Sequence, residues 1–169
     1  MVEHAAVNRR VVGSSPTGGA KVATPLICGK VLSATRPVRL SNSDPNISKK
    51  IELVWHDFSE NCSEIENKVT NKPICMYSNY ESDENGEYDV SVGYEIDKNS
   101  ELKDGWTKKI IPAGKYAKFI IRGNMVKEVS KFWQNLWKLD LQRKFECDFE
   151  ECQNMDMLNA EVHIFVSIK

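Results

Sequence analysis

Ala160-Glu161-Val162-His163-Ile164-Phe165-Val166-Ser167-Ile168 closes the chain with an alternation that predicts a β-strand. One face of such a strand collects Ala160, Val162, Ile164, Val166 and Ile168, an apolar row suited to packing on helices. The other face collects Glu161, His163, Phe165 and Ser167. A carboxylate in the middle of that strand is costly to bury without a counter-charge. Either that face is wet or Glu161 awaits a cation.

The preceding segments supply partners for this strand. Met125–Leu139 carries Val126, Val129, Trp133, Leu136 and Trp137 at helical spacing, and Lys115–Arg122 ahead of it alternates as a strand ended by Gly123-Asn124. A short strand is expected near Phe149–Gln153. The first half repeats this order. Val38-Arg39-Leu40, or Leu26–Leu32, supplies a first strand, with Pro37 forbidding one continuous run. A helix follows, with Asp44 as its expected N-cap, Pro45 in its first turn and Ile51, Val54, Trp55, Phe58 and Ile65 on its apolar face. Pro73–Tyr80 and Glu87–Tyr94 are then strands joined through Asp83-Glu84-Asn85-Gly86, whose Asn-Gly pair favours the positive φ angles of a tight hairpin. Glu95–Pro112 reads as a long connection. The expectation is an α+β fold: two βαββ units in one antiparallel concave sheet, two helices on one face, and a groove on the other face in front of Glu161.

Composition narrows the function. The chain has 169 residues, 41% hydrophobic and 28% charged, and reads as one globular domain. The net charge of −1 divides into +3 over residues 1–35, from Arg9, Arg10, Lys21 and Lys30 against Glu3, and −4 over the remainder. A mildly acidic domain argues against direct nucleic-acid binding, which needs clustered basic residues. No apolar stretch is long enough for a membrane helix. Cys28, Cys62, Cys75, Cys147 and Cys152 include no CxxC pair and no metal-ligand spacing, so the expectation is free thiols in the cytoplasm, with no metal and no cofactor.

Residues 1–35 read as a disordered or mis-assigned leader, and 36–169 as the domain. Val11–Gly19 is rich in Gly, Ser and Pro without periodicity. Gly13-Ser14-Ser15-Pro16 can also be encoded by the T-arm consensus of a transfer-RNA gene, a resemblance that points to a start placed too far upstream.

Met76–Asp83, Glu87–Val90, Gly114–Ala117, Cys147–Glu150 and Ala160–Ile164, taken in order, resemble the gyrase-inhibitor-like effector-binding family, in particular its integron-associated branch. This module occurs alone and attached to AraC-type and MerR-type regulators. The resemblance covers about residues 36–169 and implies the double βαββ sheet. It also implies a lipophilic cation as ligand, countered by a glutamate on the final strand, the position held by Glu161. Tyr77 and Tyr116 are expected to wall the groove, with Asp89, Trp133, Trp137, Phe149 and His163 as further candidates to line it. One departure is Cys152, which stands where the family carries an aromatic residue and so reshapes the pocket.

The function implied is a stand-alone sensor or sequestering protein linked to transcription regulation, acting through a regulator partner because residues 1–35 leave no room for a helix-turn-helix. Two alternatives follow from the same resemblance. One is a hydrolase of electrophilic toxins, with Glu161 as general base and Tyr77 or Tyr116 as acid. The other is a protein-interaction module of the gyrase-inhibitor kind. Oligomeric state is not readable from these residues.

Overall fold

The structure, a computed structural model, describes residues 23–169. The leader reading therefore falls mostly on residues outside those described. Within them the strands are β1 (Leu26–Ile27), β2 (Lys30–Ala34), β3 (Val38–Ser41), β4 (Ile74–Ser78), β5 (Glu87–Glu95), β6 (Thr107–Ile111), β7 (Gly114–Gly123), β8 (Cys147–Cys152) and β9 (Ala160–Ser167). The helices are α1 (Ile47–Asn61) and α2 (Met125–Leu136). All the strands belong to one antiparallel sheet in the order β1-β7-β9-β8-β4-β5-β2-β6, with β3 also paired to β5.

The expected pair of βαββ units is present as β3-α1-β4-β5 and β7-α2-β8-β9. Their strands lie in mirrored order on either side of the β4–β8 junction, where Met76 opposes Phe149. The choice of first strand resolves into both candidates. Strands β2 and β3 pair in succession with the two ends of β5, and Pro37 sits in the break between them. Thr35 stitches that break, its amide donating to Val92 O at 2.8 Å and its Oγ1 accepting from Val92 N at 3.1 Å. Residues before 36 thus contribute strands to the sheet.

Three local expectations are corrected. Glu95–Pro112 is not all connection, because Thr107–Ile111 forms β6 on β2. Its two lysines and open side are those of a sheet-edge strand, which carries no apolar alternation to betray it. Neither Asn85 nor Gly86 takes a positive φ. Glycine is needed at 86 for close approach: a Cβ there would lie 2.5 Å from Ser82 Oγ. Asp44 also does not cap α1 directly. Its Oδ1 accepts from Asn46 N at 2.8 Å and its carbonyl from Ile47 N, forming the turn that leads into the helix, whose N-cap position is Asn46, two residues further on. Helix α2 has the expected kind of start, with Asn124 accepting from Lys127 N.

Strands β6 and β7 stand near opposite ends of the strand order yet are joined by only Pro112 and Ala113. The sheet must therefore curl until its two ends approach, giving a half-barrel. Its inner face is filled by Leu32, Ala34, Ile74, Met76, Ile111, Tyr116, Phe149 and Phe165, with Phe149 and Phe165 stacked at 4.4 Å between centroids. The groove expected on the face away from the helices is thus a packed core. The outer face carries the two helices. Val54 and Phe58 of α1 pack on Leu40, Cys75, Val90 and Val92, and Ala117, Phe119, Val162, Ile164 and Val166 lie under α2.

One glycine is demanded by the curl. At Gly93 a Cβ would meet Ser33 O at 2.2 Å and Ala34 Cα at 2.7 Å, both from β2. Gly93→Ala must push β2 off β5 and is expected to cost about 3 kcal/mol, the upper range for overpacking. Urea unfolding checks this: the midpoint should fall with an unchanged slope.

Candidate ligand-binding cleft

The two helices do not close over the middle of the sheet. Between them lies a cavity of about 230 Å³. Helix α1 contributes Ile47, Ser48 and Ile51 to one wall, and α2 contributes Ser130, Trp133, Gln134 and Trp137 to the other. Tyr77 and Tyr88 form the floor, and Tyr80, Asn42, Glu84 and Arg143 surround one end.

The tyrosines form a continuous aromatic surface. Tyr77 contacts Trp133 and Tyr88 with centroids 5.2 and 6.0 Å apart, and Tyr80 lies 5.5 Å from Tyr88. Strict alternation puts Tyr80 on the face opposite Tyr77. Asn79 breaks that alternation with a φ of 51°, which turns the chain after β4 and brings Tyr80 to the side of Tyr77.

Beneath Trp133, on the central strand β8, lies Glu150, only 5% exposed. Its Oε1 accepts from Tyr77 Oη at 2.8 Å and from Trp133 Nε1 at 2.5 Å. Its Oε2 takes no hydrogen bond from a described residue, and it is not among the polar atoms sealed away without a partner. No lysine, arginine or histidine among the described residues forms an ion pair with Glu150. Burial raises its pKa, an effect only partly offset by the Trp133 and Tyr77 hydrogen bonds. Burial first, and the neighbouring Glu150 carboxylate with it, likewise raises Tyr77, so its hydroxyl stays a donor.

Two residues earlier on the same strand face, Asp148 is fully buried and fully used. Its Oδ1 accepts from Ser167 N and Oγ at 2.7 and 3.0 Å, and its Oδ2 from Tyr80 Oη at 2.8 Å and Arg143 Nη2 at 2.7 Å. The two neighbouring carboxylates therefore differ in kind: among the described residues Asp148 has its cation, and Glu150 has none.

The residues expected to form one site divide between the two faces of the sheet. Tyr77, Trp133 and Trp137 line the cleft. Tyr116 and Phe149 belong to the core inside the half-barrel, their rings 5.5 Å apart. Glu161 and His163 also point to that inner side, away from α2. There Glu161 Oε2 accepts from Arg122 Nε at 2.7 Å, and its Oε1 lies 2.9 Å from His163 Nε2. These bonds, Arg122 first, lower the Glu161 pKa. Asp89 is held at the rim by Asn79 Nδ2 and Arg39. No one groove can hold both Tyr77 and Tyr116, and the pairing of Glu161 with Tyr77 as base and acid is not met geometrically.

Glu150, Tyr80, Tyr88, Arg143 and Asp148 were not singled out by the sequence reading. A signal for two of them was present. In Asp148-Phe149-Glu150-Glu151-Cys152, two acidic residues share a face on a strand that must sit centrally if the βαββ units are joined side by side.

Comparison with known proteins places the chain in a family. The sequence signature of the integron-associated effector binding proteins matches residues 30–168, and the chain belongs to that family. An integron cassette protein from the mobile metagenome of Vibrio cholerae has the same fold, with a TM-score of 0.71 and 26% identity over 88% of this chain and 95% of its own. The structure of SAV2435 bound to tetraphenylphosphonium also superposes with a TM-score of 0.71, at 14% identity over 88% of this chain and 94% of that one, a likeness of fold alone. YobU of Bacillus subtilis strain 168, named as a candidate transcriptional regulator, is 35% identical over 101 residues. That match spans 57% of this chain and 63% of YobU, less than two thirds of its length. Among the described residues no helix is long and apolar enough to cross a membrane.

Proposed function

We propose that this effector-binding protein takes up lipophilic organic cations in the cleft between α1 and α2, and that Glu150 is the residue that answers their charge. The observation that carries the reading is a buried carboxylate with neutral donors on one oxygen only and no basic partner among the described residues. Such a group is expensive to hold in a protein interior and gains most from a cation that arrives already poorly hydrated. Tyr77, Tyr80, Tyr88, Trp133 and Trp137 surround that position with aromatic faces, which attract delocalised cations further.

Trp133 stands in for the ligand when the cleft is empty. Its indole N–H satisfies half of the Glu150 carboxylate and covers it, so a cation wider than the 230 Å³ space must displace the ring and take over its contact. That displacement moves α2, which makes the binding event readable at the protein surface. The tetraphenylphosphonium held by SAV2435 and the regulator name given to YobU support a role as a cytoplasmic sensing or sequestering module linked to transcription, working through a regulator protein. The Tyr77 hydroxyl serves here as a hydrogen-bond donor to Glu150, and the reading adopted is binding without turnover.

Titration with tetraphenylphosphonium chloride, followed by tryptophan fluorescence, tests this. A saturable change that is lost in Trp133→Phe while binding persists by calorimetry is expected, since the reporter is the displaced indole. A flat titration by both methods would overturn the reading.

A further inference from the structure

We infer that the cation taken by this cleft carries a neutral hydrogen-bond acceptor at the end opposite its charge, and that Arg143 receives it; this rests on the cation-binding reading of Glu150. Arg143 lines the cleft, yet its side chain is only 8% exposed. It is held on two sides. Nη2 donates to Asp148, and the guanidinium plane lies over the Phe145 ring with Cζ 4.1 Å from the centroid. Phe145 itself is fixed in a backbone conformation with φ 51° and packs on Tyr80 at 5.8 Å.

This clamp leaves the arginine under-used. Nε is sealed in without a partner among the described residues, and Nη1 likewise meets no acceptor among them but is not one of the sealed atoms. Buried guanidinium donors are ordinarily satisfied, and a guanidinium held rigid through Nη2 leaves Nη1 to an acceptor that enters the cleft. Charge settles what kind of acceptor fits. Asp148 already neutralises Arg143, and Glu84 and Glu150 add negative charge around the same space, so a carbonyl or ether oxygen is favoured over an anion. Spacing sets the ligand's length. Asp148 and Glu150 are two residues apart on one face of β8, roughly 6–7 Å by strand rise, and the tyrosine surface lies between the two poles. One aromatic ring bridges that span.

Two matched probes read the preference by calorimetry: 4-acetylbenzyl-trimethylammonium and its isosteric 4-isopropylbenzyl analogue. The wild-type protein is expected to bind the acetyl compound about tenfold tighter, the return on one charge-assisted hydrogen bond. Arg143→Met should bring the ratio to about one. Because that change strands the Asp148 carboxylate, the double variant Arg143→Met with Asp148→Asn should give the same ratio in a protein whose melting is checked. Glu150→Gln should weaken both probes alike and keep their ratio. A wild-type ratio near one with Glu150-dependent binding overturns the acceptor site alone, as does a tenfold ratio surviving in the double variant. Failure of both probes to bind the wild type overturns the cation reading and this inference with it.

Discussion

Asp148→Ala is expected to cost about 3–5 kcal/mol of folding stability, because it breaks a buried ion pair from one side and strands every group that leaned on it. The Asp148 carboxylate is fully buried and accepts four hydrogen bonds, from the backbone and side chain of Ser167, from Tyr80 and from Arg143. Its loss leaves a guanidinium that is 8% exposed without its ion-pair partner among the described residues. It also frees the amide of Ser167 on β9, so the central part of the sheet loses a tie between strands β8 and β9. Asp148→Asn should cost less, since an amide oxygen still accepts from Tyr80 or from Ser167. Denaturant titrations of the two variants check the ordering. A loss below about 1 kcal/mol in Asp148→Ala would mean that Arg143 finds another partner and that the clamp described here is not structural.

Glu150→Gln is expected to act in the opposite direction on stability while abolishing most cation affinity. The amide oxygen can keep the bonds from Tyr77 and Trp133, but the charge is gone. Loss of a desolvated charge facing a cation should weaken binding by roughly 2–5 kcal/mol, about thirtyfold or more. The unliganded protein should gain stability, and the gain should depend on pH. Burial raises the folded-state pKa of Glu150 above the ordinary 4.5. At pH values below the unfolded pKa both states are protonated and the charge costs nothing. The penalty grows as pH rises from the ordinary glutamate value through the raised folded value, and is complete above it. The Gln variant should therefore melt higher than the wild type at neutral pH, and the gap should close on acidification. Cation affinity should fall over the same window, at a higher pH than an exposed glutamate would require. A residue kept for binding at the expense of stability shows this pair of opposed effects, and a structural residue does not.

Much of the architecture could be read from alternation and helical spacing. Apolar rows on β7 and β9 and the stripe on α2 meet in one core as expected, and the two βαββ units follow from the order of elements. The side on which the site lies could not be read this way. Alternation assigns residues to two faces without saying which face is closed, and closure here depends on the two-residue link between β6 and β7 that curls the sheet. That curl turns the face of Tyr116, Phe149 and Phe165 into a core and leaves the helix side as the open one. Glu161 drew attention because its strand was well formed and its own neighbours were apolar. Its actual partners, Arg122 and His163, were both visible in sequence but lie across or along the strand, where register decides contact. Glu150 enters the sequence analysis only within Cys147–Glu150, beside a short strand expected near Phe149–Gln153, and nothing in that stretch says that its carboxylate is buried. Only the pairing of β8 with both β4 and β9 shows that strand to be central and one of the two carboxylates to be buried.

The family resemblance, stated over about residues 36–169, implied the double βαββ sheet that the structure has, and the family signature matches residues 30–168. The cleft itself is built by this chain's own residues: a tryptophan laid across the glutamate, three tyrosines brought together by the turn at Asn79, and an arginine clamped at the far end.

The central claim is that the cation is met on the helix side of the sheet by Glu150. Titrating tetraphenylphosphonium into Glu150→Gln and Glu161→Gln in parallel tests it directly, because the two glutamates point to opposite sides of the sheet. The account predicts that Glu150→Gln loses at least about thirtyfold in affinity while Glu161→Gln binds as the wild type does. Loss of binding in Glu161→Gln with full affinity retained in Glu150→Gln would contradict it.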